Sequence, residues 1–239
     1  MVNNTLIEVC CGSLTDVLTA ISEPIDRIEL NTALELGGLT VNTALLKAVK
    51  QHTDLPICCM VRTRTGGFCF NEEEFSLMMK QAEDLLQTGA DGIVFGFLNE
   101  DCTINYDYTS RMVNLIKEYG RQAVFHKAFD QTNMEEAVKV LIETGVDRIL
   151  TSGGDNYPDI LSGAKLMAKL NRHYGGQIQI LPGGGVRKEN VAELLNSTGL
   201  HQVHCSASVR LTDPTDPKTS YQAVNKEKLH DILSAIADR

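Results

Sequence analysis

Ionisable side chains stand near the ends of four short apolar runs along the chain. Glu8, Glu29, Arg62 and His204 each alternate with apolar neighbours in a run of strand length. Because side chains alternate between the two faces of a strand, all four are predicted to point to the same interior face. Two carboxylates, an arginine and a histidine in one place suit acid–base catalysis on a small molecule. The alternative is a set of purely structural salt bridges, since a buried charge is costly unless it is paired.

A further histidine and carboxylate follow the fifth predicted strand. His126 and Asp130 lie there on either side of Ala128-Phe129, and we add both to the candidate catalytic group. The alternation of this strand is ambiguous, so its inward face is not fixed by the sequence.

Three consecutive glycines, Gly183, Gly184 and Gly185, follow the seventh predicted strand. Glycine lets backbone amides approach a ligand closely, and loops after the seventh and eighth strands of a barrel often bind phosphate. We therefore predict an anion site here, with a plain tight turn as the alternative. The residues predicted to add hydroxyl, amide or guanidinium donors are Arg64, Ser152, Gly153 and Ser206.

The chain has seven cysteines and no C-x-x-C motif. The pairs Cys10-Cys11 and Cys58-Cys59 are adjacent, so the two thiols of each pair face opposite ways and chelate one ion poorly. Cu(I) prefers sulfur ligands, and Cys10 is the one thiol predicted to point into the mouth. A copper site is thus possible but weak, and the other cysteines are expected to be free thiols in a reducing cytoplasm.

Strand-like runs alternate with amphipathic helical stretches along the whole chain, which predicts βα units around a parallel sheet. The segment Thr88–Ile93 recurs as Thr144–Ile149, and both copies mark a helix end followed by a strand start. We predict an α/β fold, a (β/α)8 TIM barrel in a single domain of residues 1–239. An open doubly wound sheet is the runner-up, but no G-x-G-x-x-G follows the first strand. The predicted strands are Leu6–Cys10, Arg27–Leu30, Ile57–Val61, Gly92–Phe95, Ala123–His126, Arg148–Thr151, Gln177–Leu181 and Gln202–Cys205.

Capping patterns and prolines predict three local features outside the strands. Asn71 precedes Glu74, and Thr132 precedes Glu135, with the spacing of a capping box at a helix start. The stretch Leu211–Lys218, with two prolines, is predicted to be a long final loop.

Charge and hydropathy narrow the choice of partners. The formal net charge is -9, from 22 basic and 31 acidic residues, which argues against nucleic acid or an anionic membrane as a partner. The N-terminus lacks the features of a signal peptide, and no apolar run is long enough to span a bilayer. We expect a cytoplasmic protein whose partner is a small anionic ligand or a copper ion.

Taken in order, several of these motifs resemble the CutC family from end to end. The resemblance implies a TIM barrel, a cytoplasmic location, a homo-oligomer, often a dimer, and a role in copper homeostasis. Some members carry a second inward cysteine directly after the second strand, where this chain has Asn31. The chain also has Lys127 in place of an arginine and Cys205 in place of a glycine. The matching segments are Glu8–Cys10, Asp26–Leu30, Gly37–Thr40, Met60–Phe68, Asp91–Gly96, Phe125–Asp130, Gly145–Gly153 and Pro182–Val186.

Three functions remain open at this point. The chain handles copper as a binding protein, or it is an enzyme that uses acid–base chemistry on a small phosphorylated or carboxylated metabolite, or it is a scaffold with a vestigial site. The sequence does not decide whether the chain is an enzyme.

Overall fold

The computed structural model describes residues 1–154 and 159–239, and these residues form the predicted TIM barrel. The strands run parallel in the order β7-β6-β5-β4-β3-β2-β1-β8 within the described chain. Every predicted strand is present, with ends displaced by at most two residues. The strands are β1 Leu6–Cys11, β2 Arg27–Leu30, β3 Ile57–Met60, β4 Gly92–Phe95, β5 Gln122–Phe125, β6 Arg148–Thr151, β7 Gln179–Pro182 and β8 Gln202–Cys205.

A side chain bridges the two end strands of this sheet. Gln202 Nε2 on β8 donates to the backbone carbonyl of Ile180 on β7, at 3.1 Å. On its other side, β8 pairs in parallel with β1, and Glu8 on β1 lies opposite His204 on β8. The Gln202 bridge joins β7 and β8 near their starts, and near their ends Gly183 packs against His204 at the mouth of the barrel.

Helices surround the sheet and pack their apolar faces on it. Asn71 caps its helix as predicted, in a capping box with Glu74. The box predicted from Thr132 is wrong, because the helix begins one residue later, after Asn133, and Thr132 Oγ1 donates to the carbonyl of Phe129 instead. The helices are α1 Leu14–Ala20, α2 Thr43–Lys50, α3 Glu72–Thr88, α4 Tyr106–Glu118, α5 Met134–Glu143, α6 Ala164–Tyr174, α7 Lys188–Thr198 and α8 Lys226–Ala237.

Apolar side chains fill two separate regions. The larger one lies between the strands and the helices, where residues such as Ile7, Val9 and Ile93 are fully buried. Inside the barrel, a smaller cluster comprises Cys58, Met60, Val94 and Val124. The deeper end of the barrel is polar, since the buried guanidinium of Arg148 donates to the side chains of Gln122 and Gln179. The barrel interior is therefore a packed core whose polar groups face the two ends.

The C-terminal region corrects one prediction. The stretch Leu211–Lys218 is not simply a loop, because its first residues belong to β9 Ser208–Thr212, which pairs antiparallel with β10 Ser220–Val224. The prolines that indicated a loop lie at the turn of this hairpin.

The structure also answers the question of a membrane span: in the described part of the chain, no helix is both long and apolar enough to cross a bilayer.

Candidate functional site at the barrel mouth

The first element of the site is a buried charged triad that strand register brings together. Glu8 on β1 lies opposite both Arg27 on β2 and His204 on β8. One carboxylate oxygen of Glu8 accepts from Arg27 Nε, and the other lies 2.7 Å from His204 Nδ1. All three side chains are buried. The predicted meeting of Glu8 with His204 is therefore observed.

The contacts of Glu8 set its charge and that of His204. Burial alone would raise the pKa of the Glu8 carboxyl, but the His204 hydrogen bond and the Arg27 charge lower it to about 2. Burial alone would lower the pKa of His204, but the neighbouring Glu29 and Glu8 raise it above its usual value. Glu8 is thus a fixed anion, and His204 is held toward its protonated form with Nε2 left for another partner.

The second element lies one layer closer to the mouth. Cys10 on β1 is opposite Glu29 on β2, and the Cys10 thiol donates to Glu29 Oε1 at 3.6 Å. Asn31 Nδ2 donates to the same oxygen at 2.7 Å and lies 3.5 Å from Cys10 Sγ. The other oxygen, Glu29 Oε2, is buried and finds no hydrogen-bond partner among the described residues.

One ligand atom from each of Cys10, Glu29 and His204 lies within 4.8 Å of the other two. Burial, followed by the charge of Glu29, raises the pKa of the Cys10 thiol well above its usual value. Burial also raises the pKa of Glu29, although the His204 charge opposes that shift. The raised pKa values favour the protonated forms of these sulfur, oxygen and nitrogen groups, and a metal ion that bound them would displace protons.

A cavity of about 810 Å³ opens above this cluster. Cys10 and His204 form part of its floor, and Gly184, Gly185 and Ser206 of the predicted anion site line its wall. The charged residues of its lining are Lys127, Arg187, Lys188 and Lys228 against Glu189 and Asp231. The cavity is thus locally basic in a chain of net charge -9, which favours a small anion.

The loop between β7 and α7 has the shape that the glycines predict. Gly184 and Gly185 adopt left-handed backbone angles, with φ of 97° and 90°. A Cβ atom on Gly184 would lie 2.9 Å from Lys127 Nζ, so glycine is what lets this ammonium group rest on the loop. Asn190 braces the same turn by accepting from Arg187 N and donating to the carbonyl of Gly185, both at 2.8 Å.

Other predicted anion ligands lie elsewhere. Gly183 is buried against Leu150 and His204 and does not itself line the described cavity. Arg64 forms a salt bridge with Glu74, and its guanidinium lies over the ring of Phe70. Its anion-binding role stays a prediction, and its observed partner is a carboxylate of the same chain.

Asp130 lies deep beneath the cavity in a network of donors. Its carboxylate accepts from Thr151 Oγ1, from Ser152 N at 3.0 Å and from Ser152 Oγ at 2.7 Å. Lys127 Nζ is 3.8 Å from the same carboxylate. Gly153 packs against the backbone of Gly163. Asp130, Ser152 and Gly153 therefore connect the loop after β5 to the loop after β6 and hold Lys127 beside the cavity.

Arg62 and His126 lie on the opposite side of the mouth. The Arg62 Nη1 group donates to the carbonyls of Gly37 and Gly38, at 3.3 and 3.4 Å, and Nη2 donates to the carbonyl of Gly66. Arg62 thus joins the loop after β2 to the loop after β3. Within the described residues, it forms no salt bridge with the predicted carboxylates Glu8 and Glu29, so these four side chains do not converge on one point.

Sequence reasoning missed two cations of the barrel interior, Arg27 and Arg148, and placed a third, Lys127, after the fifth strand without a fixed direction. Arg27 lies two residues before Glu29 on β2, so strand alternation indicates that its side chain points into the barrel as that of Glu29 does. Strand alternation gives the same indication for Arg148 at the start of β6, because the next residue, Ile149, points outward. Lys127, by contrast, follows β5 in a 3-10 turn, Lys127–Gln131, where strand alternation carries no information.

Comparison with known proteins gives a consistent result across most of the chain. The sequence profile described as the CutC family matches residues 5–209. A family protein CutC from Treponema denticola is 39% identical over 213 residues, covering 89% of this chain and 85% of the relative. The human copper homeostasis protein cutC homolog is 34% identical over 206 residues, covering 86% and 74%.

Solved structures agree with the fold. A crystal structure described as copper homeostasis protein CutC, from Streptococcus agalactiae, superposes with a TM-score of 0.79 at 27% identity. It covers 84% of this chain and 98% of that one. The phosphoribosyl anthranilate isomerase of Thermococcus kodakaraensis has a TM-score of 0.61 at 15% identity, covering 98% and 100%, a similarity of fold alone.

Proposed function

The chain belongs to the CutC family as a homologue of copper homeostasis proteins, and on that premise we propose that it binds one copper ion at its barrel mouth. The observation that carries the proposal is the approach of Cys10, Glu29 and His204 ligand atoms to within 4.8 Å of one another. Copper is the cargo in this account, held for storage or transfer, and no reaction is assigned to it.

The donor set fits copper with modest affinity. Cys10 supplies the soft sulfur that Cu(I) prefers, and His204 supplies Nε2 because its Nδ1 contacts Glu8. The unpartnered Glu29 Oε2 is a third ligand atom, but a hard one. Asn31 occupies the place where a second thiol would lie beside Cys10, so we expect weaker binding than at a two-thiolate site.

The test is an anaerobic Cu(I) competition assay against a colorimetric chelator, on protein purified without an affinity tag. We expect one copper ion per chain and a loss of affinity of at least about tenfold in Cys10→Ser. The exposed thiols are the controls, because Cys69→Ser and Cys102→Ser should leave the affinity unchanged. Binding that survives Cys10→Ser, or that disappears in the exposed-thiol variants, would overturn the proposal.

A variant designed to bind Cu(I) more tightly provides a second test in the same assay. Asn31→Cys would place a second sulfur next to Cys10, since the Asn31 amide already lies 3.5 Å from that thiol. We expect this variant to bind Cu(I) more tightly than the wild type. No gain would mean that the copper-binding atoms lie elsewhere.

The cavity favours a second candidate, an enzyme that acts on a small phosphorylated or carboxylated metabolite. Two neighbouring carboxyl groups have pKa values displaced in opposite directions, Glu8 downward and Glu29 upward. In many active sites, two groups whose pKa values are displaced in opposite directions serve as the acid and the base. Glu29 and His204 would donate protons to a substrate held by the basic wall of the cavity, and Glu8 would keep the imidazole oriented.

A further inference from the structure

Two buried hydrogen-bond donors at the barrel mouth lack acceptors. They are Arg62 Nε and His126 Nε2, and neither has a hydrogen-bond partner within residues 1–154 and 159–239. The side chains are themselves more than nine-tenths buried, with relative exposures of 6% for Arg62 and 4% for His126. An unsatisfied buried donor costs free energy, so two in one place call for an explanation.

The geometry fixes which nitrogen of His126 carries the proton. The backbone amide of Ala128 donates to His126 Nδ1 at 3.1 Å, so Nδ1 presents a lone pair. Burial, followed by the Arg62 charge, lowers the pKa of the ring to about 3. His126 is therefore neutral, and its single N–H is the unpaired Nε2.

The two side chains that carry these donors share one neighbour, Phe68. The His126 ring centroid lies 4.8 Å from that of Phe68, and the Arg62 Cζ atom lies 5.1 Å from the same ring. Gly96 at the end of β4 makes room for the imidazole, because a Cβ atom there would lie 2.4 Å from His126 Cε1. The rest of the Arg62 guanidinium is fixed by loop carbonyls, so its Nε cannot turn toward another acceptor.

One acceptor atom without a partner in the described chain lies near Arg62. Asn31 Oδ1 is buried and unpartnered within the described chain, and a Cβ on Gly38 would lie 2.6 Å from it. The carbonyl of Gly38 in turn accepts from Arg62, so Asn31 and Arg62 flank the same glycine. One cationic donor, one neutral donor and an amide oxygen are thus buried without partners in this part of the described mouth, which we call the recess.

We propose that this recess is a second binding site, in which the carboxylate of a small organic acid accepts hydrogen bonds from Arg62 Nε and His126 Nε2. A planar anion with two oxygens matches one charged and one neutral donor. Asn31 Oδ1 suits a hydroxyl group of the same molecule. Phe68 covers the two donors, so the loop that carries it, residues 63–69, must move to admit the ligand.

The hydrogen bonds of Arg62 and His126 with other described residues do not involve Cys10, Glu29 or His204, so a matched pair of variants at His126 tests this site separately from copper binding. His126→Asn keeps an acceptor for the Ala128 amide but removes the Nε2 donor. His126→Gln places its amide group where Nε2 lies. The probes are acetate, glycolate and pyruvate, with phosphate and chloride at equal ionic strength as the comparison.

The readout is the His126 side-chain signal in ¹⁵N-histidine NMR spectra, together with calorimetric affinities. In the wild type we expect a neutral ring protonated on Nε2 and a saturable shift of that proton with a carboxylate but not with chloride. His126→Asn should weaken binding at least about tenfold, His126→Gln should retain most of it, and both should bind Cu(I) like the wild type. A shift that never saturates, or equal losses in both variants, would show that only water or a structural contact occupies the recess.

Discussion

Single residues at the barrel mouth hold their protons to different degrees because their neighbours differ. Glu8 has an arginine and a histidine as partners, whereas Glu29 has an amide and a thiol. Both carboxyl groups are buried, yet only Glu8 has cations in direct contact. The two carboxyl groups therefore differ in how firmly they hold a proton, because the pKa of Glu8 is lowered and that of Glu29 is raised, and either metal binding or proton transfer can use such a difference.

Glu8→Gln and Glu29→Gln should differ sharply in stability. Replacement of Glu8 leaves Arg27 as an uncompensated buried charge, with an expected loss of about 3–5 kcal/mol in the free energy of unfolding. Replacement of Glu29 removes a carboxyl group whose hydrogen-bond partners are an amide and a thiol, and should change stability by about 1 kcal/mol or less. Urea unfolding at pH 7 measures both, and equal losses would mean that the Glu29 carboxyl group stabilises the fold as much as the paired Glu8 carboxylate.

His126 should make the protein sensitive to acid. In the unfolded chain this ring takes up a proton below its usual pKa of 6.5, but in the folded protein only near 3. The unfolded state binds more protons between these values, so the His126 contribution to stability is lost as the pH falls through that window. The stability difference between the wild type and His126→Asn should therefore shrink from pH 6.5 toward pH 3 in urea titrations. A difference that is constant with pH would contradict the buried neutral ring.

Alternation alone predicted the inward direction of Glu8, Glu29 and His204, because apolar neighbours fix the outer face of each strand. It did not predict that Glu8 pairs with Arg27, although Arg27 lies on the same face of β2 as Glu29. The partners of Arg62 and Asp130 are loop carbonyls, hydroxyls and amides. Such contacts depend on loop conformations that a strand pattern does not contain.

Loops at the carboxyl ends of the strands build the basic cavity that opens above the strand residues of the site. Lys127 from the loop after β5 rests on Gly184 from the loop after β7, and Asp130 bonds to the loop after β6. Three successive βα connections are thus cross-linked around one basic cavity. The strands and their helices were predictable from periodicity, but the β9–β10 hairpin was not, because the prolines at its turn indicated a loop.

Gly184→Ala should remove the response of the protein to phosphate. The loop after β7 and the basic lining predict that phosphate raises the melting temperature beyond the effect of chloride. The added Cβ would lie 2.9 Å from Lys127 Nζ, which would displace the ammonium group, and would strain a residue with φ of 97°, at a cost of about 1–3 kcal/mol. Gly176→Ala is the matched control, because its Cβ would meet no atom within 4 Å. Equal phosphate responses in wild type and Gly184→Ala would leave the glycine run a simple turn and remove the main support for the enzyme candidate.

The whole molecule is acidic, but the lining of its cavity is not. Its net charge is -9, whereas the cavity lining carries four basic and two acidic residues. We therefore expect the cavity to favour small anions or anionic copper complexes over nucleic acid. The fold as a whole was predictable because eight strand patterns recur with helices between them, and a repeated unit constrains the architecture more than any single motif.

The chain should form a homodimer in solution, as the resemblance to its family implies. Light scattering coupled to size-exclusion chromatography should give twice the chain mass of 26.3 kDa. A single chain mass across a wide range of protein concentrations would contradict this expectation.

Copper location is the measurement that tests the central claim most directly. Crystals loaded anaerobically with Cu(I) and measured at the copper absorption edge should show one anomalous peak at the barrel mouth. The account predicts this peak at bonding distance from Cys10 Sγ and His204 Nε2, beside Glu29. A peak only at the exposed thiols Cys69 and Cys102, or none at the mouth while copper binds stoichiometrically, would contradict it.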